Sequence, residues 1–318
     1  SLQFSDGKFH NPERFDAMSL RKIPGFLARY LTEKRLDVEP TKPIPVQEIT
    51  ATSLSMLPED RVTLFRLGHS SFLLKTGMEY WLIDPVFSER ASPISFAGPK
   101  RFHQPPISIA ELPNIRGVII SHNHYDHLDK DAVKALRDKV ETFLVPLGIG
   151  ENLIDWGIKP ENIKELDWWQ SVNVGELSLT ATPAQHFSGR GLSDGNKSLW
   201  CSWVIKTPTQ SIFYSGDTGY FEGFKKIGEQ HGPFDMTIIE TGAYDAQWPN
   251  VHMTPEQSLQ AHLDVKGKRM LPAHNGTFDL AFHPWYEPLE RITMLGTNAD
   301  VKVITPVVGE AVDIVASN

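Results

Sequence analysis

Gly117-Val118-Ile119-Ile120 reads as a buried strand and runs straight into Ser121-His122-Asn123-His124-Tyr125-Asp126-His127-Leu128-Asp129. This junction restricts the fold more than any other stretch of the chain. Imidazoles at 122, 124 and 127 and a carboxylate at 126 form a dense set of nitrogen and oxygen ligands at a strand's end. At strand-like spacing His122 and His124 point the same way, and the turn that follows redirects Asp126 and His127. One metal can take the first pair and a second metal the other. Such donors suit zinc, with manganese or iron as alternatives.

The rest of a coordination shell must come from elsewhere in the chain. His186 in Thr182-Pro-Ala-Gln-His-Phe, Asp217 in Phe213-Tyr-Ser-Gly-Asp-Thr and His274 in Leu271-Pro-Ala-His each lie just after an expected strand. Alone, each reads as an ordinary loop residue. Together they require a mixed sheet whose strands end along one edge, so that the loops meet.

From Arg61 onward, short runs rich in Val, Ile, Leu, Phe and Thr alternate with turns. Expected strands are 62–66, 71–76, 80–84, 117–120, 141–145, 171–180, 202–206, 211–214, 236–239, 269–271 and 301–304. Helices are expected at 130–138, 148–156, 255–264 and 285–295. Thr254-Pro255-Glu256 is a strong helix start, with a cap residue, a first-turn proline and an acid near the positive end of the dipole. Hairpins followed by β–α units point to an α/β sandwich with helices outside. The halves are expected to meet near 165–200.

Residues 1–60 differ in character and are expected to form an N-terminal strap on a main domain spanning 61–318. Glu39–Pro45 is proline-rich, which favours an extended path. Phe15–Leu31 has loosely helical apolar spacing interrupted by Pro24, and reads as a docked strap or as a peripheral membrane contact.

A net charge of −8 argues against a general nucleic-acid partner, since phosphate backbones are held by Lys and Arg. The single cysteine, Cys201, rules out an intramolecular disulfide and fits a reducing, cytoplasmic setting, with membrane association as the alternative. The chain begins at Ser1 rather than Met, which leaves room for a removed upstream signal or anchor. Nothing in the sequence fixes an oligomeric state.

The His122-x-His124-x-Asp126-His127 motif, followed by single His, Asp and His residues, resembles the metallo-β-lactamase superfamily. The similarity is closer to one branch, the N-acylphosphatidylethanolamine-hydrolysing phospholipases D and their bacterial relatives. Leu67-Gly-His-Ser-Ser, Ile83-Asp-Pro-Val-Phe-Ser-Glu-Arg-Ala-Ser-Pro, Phe96-Ala-Gly-Pro-Lys-Arg-Phe, Gln185-His-Phe-Ser-Gly-Arg-Gly, Ser215-Gly-Asp-Thr-Gly-Tyr, Val251-His-Met-Thr-Pro-Glu-Gln and His274-Asn-Gly-Thr-Phe carry it. The resemblance implies a four-layered αββα sandwich with two mixed β-sheets. It implies two zinc ions, one held by His122, His124 and His186, the other by Asp126, His127 and His274, with Asp217 bridging. Asn275 stands where the branch has an aromatic residue, and His283 is additional; both departures bear on substrate rather than on metal binding.

The implied chemistry is hydrolysis by a metal-bridging hydroxide, most directly of a phosphodiester in a phospholipid or a smaller molecule. A lactonase or β-lactam-type carbonyl hydrolase is the second reading, and a non-hydrolytic metal or redox protein the third. Asp126 counts as catalytic as well as a ligand, and His252 and His283 are candidate leaving-group acids. His69 and Asp84 are expected to support the ligands from behind. Arg190, Phe187 and Trp248 are expected to contact substrate, the arginine through its phosphate-matching fork.

Overall fold

In the computed structural model, residues 1–13, 29, 32–33 and 35–315 are described. The expected amphipathic stretch Phe15–Leu31 lies, apart from Arg29, outside the described residues. A short hairpin opens the chain, β1 (Phe4–Ser5) and β2 (Lys8–Phe9). One seven-stranded sheet then takes β3 (Val62–Gly68), β4 (Ser71–Thr76), β5 (Glu79–Ile83), β6 (Ile115–Ile119), β7 (Val140–Pro146) and β8 (Ile163–Leu166). The second takes β9 (Ser171–Val174), β10 (Leu177–Thr182), β11 (Ser202–Lys206), β12 (Ser211–Tyr214), β13 (Met236–Glu240), β14 (Arg269–Ala273) and β15 (Lys302–Val303). The last strand, β16 (Ala311–Ile314), returns to the first sheet beside β3. The chain therefore crosses between sheets at 166–171, inside the expected window, but its end closes the first half rather than the second.

Alternation along the strands builds the layers. Leu64, Phe72, Leu74, Trp81 and Ile83 point between the sheets, against Leu179, Ala181, Trp203 and Ile238. Their neighbours Phe65, Leu67, Leu73 and Leu82 point the other way, onto Leu54, Val133, Leu136 and Leu153 from helices Ala51–Ser55, Lys130–Leu136 and Gly150–Asp155. The second sheet presents Val204, Phe213, Ile239 and Met270 to helices Gly223–His231, Pro255–Asp264 and Glu287–Asn298. A period of two in strands buried on both faces gives helix, sheet, sheet, helix. The expected αββα sandwich is the observed one. Gly117 is required inside β6, because a Cβ there would meet the Trp81 ring at 2.3 Å.

Most expected elements fall within a few residues of the observed ones, and the helix Pro255–Asp264 matches at both ends, closed by a Thr254–Gln257 capping box. The expected single strand 171–180 is a correction. It is two strands, because Gly175 at φ +54° turns the chain and pairs Val174 with Leu177. The amphipathic helix Gly223–His231 went unread, as did β8 and β16.

Strands β5, β6 and β7 run parallel, as do β12, β13 and β14. Strand β10 is antiparallel to β11, which is antiparallel to β12, so β10 ends at the same edge as β12. Asp84, Ser121–Asp126, Pro183–His186, Asp217 and His274 follow strands at that edge, and Glu240 ends one.

Candidate metal centre

At that edge seven predicted ligands converge. His122 Nε2 lies 2.9 Å from His124 Nδ1, and His186 Nε2 lies 3.2 Å from the same atom. His274 Nε2 is 3.2 Å from Asp126 Oδ2 and 3.0 Å from Asp217 Oδ2, while His127 Nε2 is 3.1 Å from Asp217 Oδ1. His122, His124, His186 and Asp217 form one group with ligand atoms within 4.8 Å of one another, and His69, Asp126, His127 and His274 form another. Asp217 approaches both groups: its Oδ2 is 3.6 Å from His122 Nε2. Gly216 makes that reach possible, since a Cβ there would stand 2.8 Å from the Ser121 side chain.

Hydrogen bonds behind the cluster set the tautomers. The Tyr214 hydroxyl, the Ser121 amide and the Ser121 hydroxyl all donate to Asp84, at 2.5, 2.7 and 2.5 Å. With its proton given to Asp84, the Ser121 hydroxyl accepts from His122 Nδ1 at 2.9 Å. His127 Nδ1 donates to Asp84 Oδ2 at 2.7 Å, and His186 Nδ1 donates to the Val251 carbonyl at 2.9 Å. Each turns its Nε2 inward, the orientation metal-binding imidazoles require. His127 Nε2 and Asp217 Oδ1 are buried 3.1 Å apart, and among the described residues neither makes a well-aligned hydrogen bond. Converging ligand atoms without well-aligned partners fit a cation between them, so the donor set suits divalent metal.

The charges agree. Burial, reinforced by neighbouring imidazoles, holds His122 and His186 well below the ordinary histidine range, and pushes His124 down to about 4. Burial opposes charge on His274 and His127 too, but the carboxylates of Asp217 and Asp126 outweigh it. They lift His274 to about 10 and His127 well above its ordinary value. In the metal-free protein these two imidazoles thus hold protons where metal would sit. Raised folded-state values stabilise below the unfolded value near 6.5 and lose that contribution as pH rises through the folded one, about 10 for His274. The unfolding midpoint of chelated protein should accordingly fall as pH climbs across that window, and metal uptake near pH 8 should release protons. Melts that stay flat across the window would refute the pairing.

His69 is closer in than expected: its Nε2 stands 2.9 Å from Asp126 Oδ2, within the second group. Asp84 sits behind His122 and His127, as expected. His252 lines a cavity of about 260 Å³ above the cluster, with Phe187, Trp248, Val251 and Leu280 as apolar walls. His283 does not reach it. Its Nε2 accepts from the Ala243 amide at 3.0 Å and its Nδ1 donates to the Pro284 carbonyl, so both ring nitrogens are spent on backbone. Arg190 is likewise turned away from the cavity. Its Nη1 donates to the carbonyls of Asn123 and Leu128 at 2.8 and 2.6 Å, clamping the ligand loop, and its guanidinium stacks on Tyr125. Asn275 accepts from Arg66 and donates to the Thr241 and Ala273 carbonyls, which explains a polar residue there.

Glu240 escaped the sequence reading. Its Oε2 accepts from His252 Nδ1 at 2.8 Å and its Oε1 accepts from the Met253 amide at 2.7 Å. Burial raises its pKa, with His252 working against that. An acid ending the buried run Met236–Glu240 was the available signal.

Residues 80–275 match the family described as a beta-lactamase superfamily domain. An uncharacterised protein of Mycobacterium tuberculosis is 42% identical over 98% of this chain and 84% of its own length. The N-acyl-phosphatidylethanolamine-hydrolyzing phospholipase D 1 of Caenorhabditis elegans is 36% identical over 79% of this chain and 74% of its own. A metallo hydrolase from the archaeon Ignicoccus hospitalis shares the fold, with a TM-score of 0.61 at 22% identity over 80% of this chain and 99% of that one. The chain belongs to the metallo-β-lactamase superfamily. Within it, the protein is a metal-dependent hydrolase with a His/Asp metal-binding cluster. Among the described residues no helix is long and apolar enough to cross a membrane.

Proposed function

We propose that this protein is a dinuclear zinc phosphodiesterase of the phospholipase D type, acting on N-acylphosphatidylethanolamine-like lipids. The observation that carries this reading is the cavity itself: a His/Asp cluster forms its floor, apolar side chains form its walls, and a Glu240-anchored histidine faces inside. The similarity to the nematode phospholipase supports the substrate class.

Two divalent ions bound there would supply Lewis-acid stabilisation of developing negative charge and a water acidified toward neutrality. The protein's residues do the rest. Asp126 and Asp217, held ionised, keep the donor set anionic enough to retain the ions, while the His69, His127 and His274 imidazoles fix where those carboxylates point. Phe187 and Trp248 exclude water and seat an acyl chain. Glu240 accepts from His252 Nδ1, which leaves Nε2 to take up a proton from solvent and hand it to the departing oxygen as the water oxygen bonds to phosphorus and the ester phosphorus–oxygen bond breaks. Glu240 accepts from His252 and Met253 and also lies with Asp217, His252 and His274 in a group whose ligand atoms are within 4.8 Å of one another; the centre as a whole is histidine-rich, which favours hydrolysis over redox chemistry.

His252→Gln should lower turnover of a phospholipid substrate by about 10²–10⁴-fold. A p-nitrophenyl phosphodiester, whose leaving group needs no proton, should lose far less. Equal losses on both substrates would remove His252 from the proton-donating role. The class itself is tested by steady-state turnover of N-acylphosphatidylethanolamine, a lactone and a cephalosporin by the zinc-loaded protein. Turnover confined to the lactone or the cephalosporin would replace the phosphodiesterase reading with the carbonyl one.

A further inference from the structure

His186 is tied down from two directions. Its ring is fixed by the Val251 carbonyl, but its backbone is held by a residue 175 positions earlier in the chain. Asn11 Nδ2 donates to the His186 carbonyl at 2.7 Å, and the His186 amide donates to Asn11 Oδ1 at 2.8 Å. The same Oδ1 accepts from the Trp200 indole at 3.1 Å, which anchors the amide's orientation. Among the described residues no other group bonds the N–H or the C=O of residue 186. The neighbouring residue repeats the pattern: Gln185 Nε2 donates to the Glu13 carbonyl at 2.8 Å, and the Glu13 amide donates back to Gln185 Oε1 at 3.3 Å. Phe9, buried in the core between the sheets, with its amide donating to the Asn196 carbonyl, pins this short segment in place.

An amide side chain that meets both the N–H and the C=O of one residue fixes the peptide planes on either side of it, as a strand partner would. His186 follows β10 in a loop with no sheet partner of its own, so its imidazole can hold position only if that backbone does. We infer that Asn11 is a positioning residue of the metal centre and that residues 9–13 complete the site holding His122, His124 and His186. This rests on reading His186 as a ligand.

Asn11→Asp keeps the acceptor for the His186 amide but cannot donate to its carbonyl; Asn11→Ala loses both bonds. Cobalt(II) titrated into the metal-depleted full chain, followed by visible absorption and by chelator competition, reports the binding steps separately. Outer partners of metal ligands are worth about 10–100-fold in affinity. One binding step should weaken about 10-fold in Asn11→Asp and about 100-fold in Asn11→Ala, with an altered cobalt spectrum, while the other step holds. A tie that matters only for folding would instead lower the unfolding midpoint of the metal-free protein and leave affinity and spectrum unchanged, and that result overturns the inference. If Asn11→Ala does not fold, Asn11→Asp decides by the same criteria. His186→Ala is the control. If it binds cobalt as the parent does, the ligand reading fails and this inference with it; if it loses one step while both Asn11 variants keep both, only the inference fails.

Discussion

Replacing Asp217 by asparagine should lower turnover by roughly 10⁴-fold, the scale on which losing one member of a cooperating catalytic unit is felt. Metal content measured by elemental analysis should fall with it. The side chain keeps its shape but loses its charge at a position that approaches both ligand groups, with Oδ2 3.0 Å from His274 Nε2 and 3.6 Å from His122 Nε2. Cations held among neutral imidazoles would then lose the carboxylate nearest both groups, leaving Asp126 and, beside His252 and His274, Glu240. In the metal-free protein the carboxylate of Asp217 is also the leading influence lifting His127 and His274, so asparagine should bring both imidazoles down toward ordinary values. Their imidazole carbon resonances, followed by NMR titration, would show it. Near-normal turnover with full metal content would remove Asp217 from the centre.

Asp84→Ala should cost more in stability than any surface change. The carboxylate is fully buried and accepts from the Ser121 amide, the Ser121 hydroxyl, the Tyr214 hydroxyl and His127 Nδ1. Removing one partner of a buried, charged hydrogen-bond network costs about 3–5 kcal/mol, and a loss of at least that size is expected. Denaturant unfolding of the metal-free protein measures it. Metal affinity should fall as well, because the Ser121 and His127 contacts that orient two ligand imidazoles disappear together. A loss below about 1 kcal/mol would mean that water replaces the carboxylate, which its full burial argues against.

The inward-facing ligands were legible because they are local or punctuate strands. His122 to His127 stand within one strand-to-loop junction, and His186, Asp217 and His274 each follow a β-rich run that periodicity identifies. The sandwich was legible in part: hairpins followed by β–α units pointed to sheets with helices outside, and the four-layered αββα form followed from the family resemblance. The misread positions are those whose meaning depends on a distant partner. His283 and Arg190 looked chemically available, yet His283 Nε2 accepts from the Ala243 amide 40 residues earlier and Arg190 Nη1 donates to the Asn123 and Leu128 carbonyls more than 60 residues earlier, partners that no local pattern places beside them. Glu240 lies just past the expected strand 236–239, and only the loop that brings His252 to it gives it a role.

By itself, then, the sequence determined which residues can bind metal and that sheets form with helices outside, because ligand chemistry and hydrophobic periodicity are written in adjacent positions. Only the tertiary structure decided which imidazole nitrogen faces inward, which histidine reaches the cavity, and that Asn11 grips His186. Those outcomes hang on hydrogen bonds between groups far apart in the chain, and their directions are set only once the two sheets have packed.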